Sequence, residues 1–198
     1  MNIVIIDYNA GNVRSVLYAL ERLGYTATLS ADADVIKAAD CVIFPGVGAA
    51  GSTMQYLRTT GLDELIRSLR QPVLGICLGM QLLCTHSEEN DTDCLGVIPQ
   101  RVKLFRPERG EKVPHMGWNQ LRLSEDTWLS PGLADAYVYF VHSYYVANGP
   151  YTVAEADYVQ PFSAALRKDN FFATQFHPEK SGSIGEQILR DFLVLCQV

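Results

Sequence analysis

The chain has 198 residues, of which 48% are hydrophobic, enough to bury one substantial core but too short for two independent ones, so a single domain over 1–198 is expected. A formal net charge of -6 and a pI near 5.2 give no electrostatic footing for phosphate backbones or anionic lipid, which removes nucleic acid and membrane as first-choice partners. Five cysteines, at 41, 77, 84, 94 and 196, form an odd set with no tight framework, and a reducing cytoplasm is the compartment that suits them.

The N-terminus lacks the basic region and long apolar stretch of a secretory signal. No run approaches the roughly 20 apolar residues that cross a bilayer. Ile3 to Ile6 is a short, wholly apolar, β-branched run that predicts a strand buried on both faces. Val13 to Leu23 carries apolar residues at helical spacing and Gly24 ends it. Tyr25 to Leu29 predicts a second strand, Val35 to Ala39 a short helix, and Cys41 to Phe44 a third strand stopped by Pro45-Gly46. Leu62 to Leu69 reads as helix and Val73 to Ile76 as strand. This alternation is the pattern of a mostly parallel central sheet flanked by helices, an α/β fold.

Beyond about residue 90 strands follow one another without helices between them: Gln120 to Leu123, Ala136 to Val141, Tyr151 to Tyr158, Ala164 to Lys168 and Phe171 to Phe176. Additional antiparallel strands attached to the parallel core are expected there. A last helix runs from about Ile184 to Leu195, with Ile188, Phe192 and Leu195 on one face. Arg101, Lys103, Arg106, Arg109 and Lys112 make a basic stretch, but the interspersed Glu108 and Glu111 favour a solvated loop. The aromatic residues of the later strands are expected to pack the core.

Gly75-Ile76-Cys77-Leu78-Gly79 follows a strand and precedes an apolar stretch containing Gln81. It is the cysteine version of the G-x-S-x-G nucleophile elbow, in which the glycines clear space for a sharp turn. There Cys77 meets the start of a helix, where unpaired amides favour an anion, and the Leu78 N–H points to where an oxyanion would form. A buried structural cysteine between packing glycines would give the same local pattern, and Cys84 is read that way. Of the histidines at 86, 115, 142 and 177, only His177 sits in a constellation, His177-Pro178-Glu179. Proline holds the backbone extended, so Glu179 can orient an imidazole that deprotonates Cys77. The chain order nucleophile, histidine, acid excludes the α/β-hydrolase arrangement.

Gly46-Val47-Gly48-Ala49-Ala50-Gly51 matches G-x-G-x-x-G. It follows the third strand, and the next strand ends in Cys77 where a ribose-binding acid would be needed, so a dinucleotide site is disfavoured. A loop that adds a second backbone N–H beside Leu78 is the alternative, with its glycines free to assemble the oxyanion hole on a signal. No C-x-x-C spacing supports a metal site, and Cys84-Thr85-His86 is an isolated pair. No cofactor or metal is expected.

Taken together, these residues resemble the class I (triad) glutamine amidotransferases, and within them the glutaminase subunits of imidazole glycerol phosphate synthases. The resemblance spans nearly the whole chain. It rests on Ile6 to Asn9 with Gly11-Asn12 and Ser15-Val16, Pro45 to Gly48, Gly75 to Gln81, Pro114 to Asn119, His142-Ser143-Tyr144, and Gln175 to Lys180. Asn9-Ala10 departs from the commoner form of that loop. The elbow and the His-Pro-Glu segment specify the reaction, whereas Pro-Gly-Val-Gly and Met-Gly-Trp-Asn carry the subfamily.

The resemblance implies a Cys77, His177, Glu179 triad, an oxyanion hole framed by Val47, Gly48 and Leu78, and glutamine held by Gln81, Glu89, Ser143 and Tyr144, with Glu88 an alternative to Glu89. It implies a heterodimer in which Trp118, Asn119, Tyr139 and Lys180 face a (β/α)8-barrel cyclase subunit that receives ammonia. Three rival readings stay open: a glutaminase serving another acceptor such as pyridoxal phosphate synthase, a stand-alone γ-glutamyl hydrolase, and a non-catalytic stress or chaperone-like relative whose elbow cysteine senses oxidation.

Overall fold

A computed structural model describes residues 1–8 and 11–197; the Asn9-Ala10 departure lies outside them. The chain opens with β1 (Ile3–Ile6), α1 (Val13–Arg22), β2 (Ala27–Ser30), α2 (Ala33–Lys37), β3 (Cys41–Gly46), α3 (Ala50–Thr60), α4 (Leu62–Ser68), β4 (Val73–Cys77) and α5 (Leu78–Leu83). There follow β5 (His86–Ser87), β6 (Thr92–Asp93), β7 (Arg101–Leu104), β8 (His115–Gln120), β9 (Arg122–Leu123), β10 (Tyr137–His142) and β11 (Tyr144–Val146). The chain closes with β12 (Thr152–Asp157), β13 (Pro161–Lys168), β14 (Phe171–Thr174) and α6 (Gly182–Leu195).

The main sheet has the order β2-β1-β3-β4-β14-β13-β12-β9. Its first five strands are mutually parallel, and β13, β12 and β9 extend it antiparallel. Alternation along β1 explains why both faces are covered: Ile3 and Ile5 pack with α1 and α6, while Val4 and Ile6 pack with α2, α3, α4 and α5. The α/β architecture with antiparallel additions is therefore as expected, and Cys84 is buried core.

Three local expectations change, and one helix is added. The strand β3 does not stop at Pro45-Gly46; Pro45 pairs with Ile76 and Gly46 with Cys77. Since β1 pairs with β3 only as far as Ile43, Pro45 has a neighbour on one side, where a residue without an N–H is tolerated. Helix α3 occupies a stretch to which the sequence pattern assigns no element, burying Ala50, Thr53, Met54 and Leu57 at helical spacing. Part of the basic stretch is strand: β7 lies between β11 and β5, with Val102 inward and Arg101 and Lys103 outward. The predicted strand Gln120 to Leu123 is split, because Leu121 is buried between β8, which pairs with β10, and β9, which pairs with β12.

The later phenylalanines pack as core, whereas Tyr137 is exposed. Phe162 is fully buried and sets its ring edge-on to Phe105 and Phe140, with centroids 5.6 and 5.5 Å away, the edge-to-face geometry that ring quadrupoles favour. His115 and His142 join the same cluster. Phe162→Ala should cost about 3–5 kcal/mol, read as a lowered urea midpoint; a loss under about 1 kcal/mol would contradict this account of the core.

Candidate active site

The elbow is built by close approach. A Cβ on Gly79 would run into the Phe44 carbonyl oxygen of β3, and one on Gly75 would come 2.8 Å from Leu83 and 3.0 Å from the Gly79 backbone. Only glycine fits either position, so α5 can fold back across the ends of β3 and β4. Cys77 is left at φ 53°, ψ -106°, a conformation costly for a non-glycine residue and characteristic of functional turns. Helix α5 has six residues, so what it offers Cys77 is chiefly the free amides of its first turn, Leu78 among them.

His177 and Glu179 meet as the sequence predicts. Nδ1 of His177 lies 2.7 Å from Oε1 of Glu179, and both residues are buried. Nε2 of His177 is also buried and makes no hydrogen bond to the described residues, on a cleft of about 320 Å³ that His177 and Cys77 line together. Burial opposes charge on the His177 ring, but interaction with Cys77 and with Glu179 outweighs it and pushes its pKa up to about 10.

Val47, Gly48, Leu78, Gln81, Glu89, Ser143 and Tyr144 line that same cleft, together with Pro114, Val141 and His142. All seven predicted oxyanion and glutamine-binding residues are thus gathered around Cys77. Gly48 has φ +120° with open space where a side chain would project. Glu89, not Glu88, is the carboxylate at the cleft: its Oε2 accepts from the Ala50 N–H at 2.7 Å and so caps the start of α3, while Glu88 accepts from the Leu104 N–H and pairs with Arg106. The Gln81 amide donates to the Tyr144 carbonyl and to Gln175 Oε1, each at 3.0 Å.

Three neighbours had no predicted role. The Gln175 amide nitrogen sits 3.7 Å from Cys77 Sγ, Asn12 Nδ2 donates to Glu179 Oε1 at 2.6 Å, and Ser181 Oγ accepts from the Tyr139 N–H while donating to the His177 carbonyl. Asn12 and Gln175 belong to segments that carry the resemblance, but periodicity assigns them nothing.

The residues expected to face a partner divide. Trp118 is 56% exposed and Lys180 is exposed; Tyr139 is half-buried, its ring edge-on to Trp118 with centroids 6.0 Å apart. Asn119 alternates to the opposite face of β8 from Trp118 and donates its amide to the Asp157 carbonyl at 2.7 Å. Met116, which opens the Met-Gly-Trp-Asn segment, and Tyr137, which no motif singled out, are 63% and 56% exposed beside Trp118 and complete an apolar face on the β8–β10 ribbon. Among the described residues no group of histidine, cysteine and carboxylate side chains is arranged to hold a metal, and no helix is long and apolar enough to cross a membrane.

Residues 4–196 match the family Glutamine amidotransferase class-I. The chain is 58% identical over 196 residues to the imidazole glycerol phosphate synthase subunit HisH of Bacteroides thetaiotaomicron, covering 98% of this chain and all of that protein. It is 50% identical to the HisH subunit of Idiomarina loihiensis, with 98% of each chain covered. Among solved structures it resembles a glutamine amidotransferase, with TM-score 0.75 and 21% identity over 98% of this chain and 99% of the other. It also resembles a glutamine amidotransferase from Thermotoga maritima, with TM-score 0.64 and 16% identity over 98% of this chain and 83% of the other. The chain belongs to the class I glutamine amidotransferases, in the HisH family of imidazole glycerol phosphate synthase subunits.

Proposed function

We propose that this chain is a glutaminase that releases ammonia from glutamine for a (β/α)8-barrel cyclase subunit, in a cytoplasmic heterodimer that serves histidine biosynthesis. The observation that carries the reading is the placement of Cys77, on a strained elbow, in one cleft with a buried His177–Glu179 pair. Catalysis falls to Cys77, His177 and Glu179, in one domain over the whole chain.

Cys77 passes its thiol proton to His177 and its Sγ attacks the side-chain amide carbon of glutamine, with the oxyanion held by backbone amides of Leu78 and of the Val47-Gly48 loop. His177, whose raised pKa favours holding that proton on the ring, delivers it to the departing nitrogen as the C–N bond breaks, and ammonia leaves. Water, deprotonated by the now neutral His177, cleaves the γ-glutamyl thioester to glutamate, and the ring returns that proton to the Cys77 sulfur to restore the thiol. Gln81, Ser143 and Tyr144 line the substrate's seat, and the Glu89 carboxylate complements its α-ammonium group.

The exposed Met116, Trp118 and Tyr137 face is the surface on which the cyclase would dock, and ammonia kept from bulk water by that contact stays an unprotonated nucleophile. There it would join a phosphorylated ribulosyl formimino carboxamide ribonucleotide, giving imidazole glycerol phosphate and aminoimidazole carboxamide ribotide. Activation by the partner has a short route available: the Tyr139 carbonyl accepts from the His177 N–H at 2.9 Å, so the ribbon carrying Trp118 is bonded directly to the catalytic segment. Gly48, at φ +120° where only glycine sits without strain, is the element such a signal would reorient.

Glutamate release by the purified chain should rise sharply when the cyclase and its ribonucleotide ligand are added, and should fall at least about a thousandfold in His177→Ala and Cys77→Ser. If the cyclase has no effect the acceptor is wrong, and if no partner elicits release the triad is inactive. Trp118→Ala should weaken cyclase binding by about 2 kcal/mol, roughly 30-fold in Kd, measured by calorimetry; unchanged affinity would remove the β8–β10 face as the docking surface.

The raised pKa of His177 also makes a stability prediction. Because the folded value of about 10 exceeds the ordinary 6.5, the protonated ring stabilises the fold fully below about pH 6.5, and that contribution is lost as pH rises toward 10. The stability difference between wild type and His177→Gln in urea should therefore shrink across that window; a difference independent of pH would contradict the assignment.

A further inference from the structure

The chain changes sheets at Ser143. Up to His142 it runs in β10 against β8, and from Tyr144 it runs in β11 against β7. Two of the residues that line the glutamine cleft, Ser143 and Tyr144, sit on this crossover, where a rigid-body rocking of one sheet against the other would move them relative to Cys77.

Two buried histidines close the crossover. His142 Nδ1 lies 2.7 Å from the Tyr144 carbonyl oxygen, which can only accept, so the ring must donate from Nδ1. Its Nε2 is then the acceptor for His115 Nδ1, 3.1 Å away. The same logic leaves His115 Nε2 as an acceptor, and it faces the Asn119 amide nitrogen at 3.4 Å. Every donor therefore points the same way, from Asn119 on the β8–β10 ribbon through His115 and His142 to Tyr144. The Tyr144 carbonyl also accepts from Gln81, so the end of this series is a shared atom of the cleft.

The surroundings hold both rings neutral and in place. His115 is stacked on Tyr158, with centroids 4.0 Å apart and planes 18° apart, and on Phe140 at 5.0 Å. Burial pushes the His115 pKa down to about 4 and that of His142 down to about 3. A proton added to His142 Nε2 would meet the N–H of His115.

We propose that His115 and His142 are positioning residues, a one-directional relay of neutral imidazoles that fixes the Ser143-Tyr144 crossover against Cys77 and so sets the affinity for glutamine. This role rests on the glutaminase reading above. The relay touches neither the scissile amide nor the leaving ammonia, so its loss raises KM for glutamine more than it lowers kcat.

The test is steady-state glutaminase kinetics of the complex with cyclase and saturating ribonucleotide ligand, for wild type, His142→Phe and His142→Asn. Phenylalanine keeps the ring volume and removes the donor; asparagine places an amide nitrogen near the position of Nδ1. KM should rise about tenfold in His142→Phe, the worth of one buried hydrogen bond, with kcat changed less than about threefold, and His142→Asn should recover most of the loss. In the wild-type protein at neutral pH, nitrogen-15 NMR should find both rings neutral with the proton on Nδ1.

An active wild type whose KM is unchanged in folded His142→Phe overturns the positioning role alone, and so does a proton on Nε2 or a charged ring in either histidine. Should His142→Phe fail to fold, the His142→Asn kinetics and the wild-type tautomers decide. A wild-type complex that releases no glutamate overturns the glutaminase reading and this role with it.

Discussion

Helix α5 crosses the end of β3 so closely that the Phe44 carbonyl occupies the space where a side chain on Gly79 would be. That contact fixes where the chain must turn after β4, and the turn falls on Cys77, whose backbone takes up the strain at φ 53°. The surrounding sheet over-determines the geometry, since β4 is held between β3 and β14 by parallel pairing on both sides. Because β14 runs beside β4, the segment that follows it delivers Gln175 and His177 to the same end of the sheet. The long stretch of chain between Cys77 and His177 is thus closed by two neighbouring strands.

Around this elbow the polar side chains are buried and paired in ways that leave few degrees of freedom. Glu179 Oε1 is shared by His177 and Asn12, Gln81 bridges Gln175 and the Tyr144 carbonyl, and Glu89 ties the start of α3 to the cleft. Each unmade bond of this kind in a dry site costs about 1–3 kcal/mol, which selects one arrangement of the network. Two atoms of the triad are exceptions: among the described residues, His177 Nε2 and Glu179 Oε2 are buried without a hydrogen-bond partner. An imidazole nitrogen left unsatisfied beside a nucleophile is available for proton transfer in a way that a fully bonded one is not.

The sequence was informative where local chemistry and long-range packing agree. Ile3 to Ile6, Cys41 to Phe44 and Val73 to Ile76 could only be buried strands, and the glycines flanking Cys77 marked a turn with a mechanism. Legibility failed where a local signal was overruled. Pro45-Gly46 read as a stop because nothing in the chain tells that β1 withdraws and leaves proline on a one-sided stretch. The helix α3 was hidden by Gly51, Ser52 and Thr53 following a glycine-rich loop, although its buried face keeps helical spacing. The strand β7 was obscured by the charges on its outer face. Asn119 was placed at the partner face by the resemblance alone; the period-two alternation of β8, which turns its side chain to the other face from Trp118, depends on a pairing with β10 that local composition does not disclose.

The central claim is that Cys77 becomes acylated by the side chain of glutamine, and acid-quenched mass spectrometry of the chain turning over glutamine with its cyclase tests it directly. The account predicts a γ-glutamyl adduct on the peptide containing Cys77, present during turnover, removed by hydroxylamine and absent from Cys77→Ser. Glutamate released with no adduct at Cys77, or with the adduct on Cys84 or Cys94 instead, would contradict it.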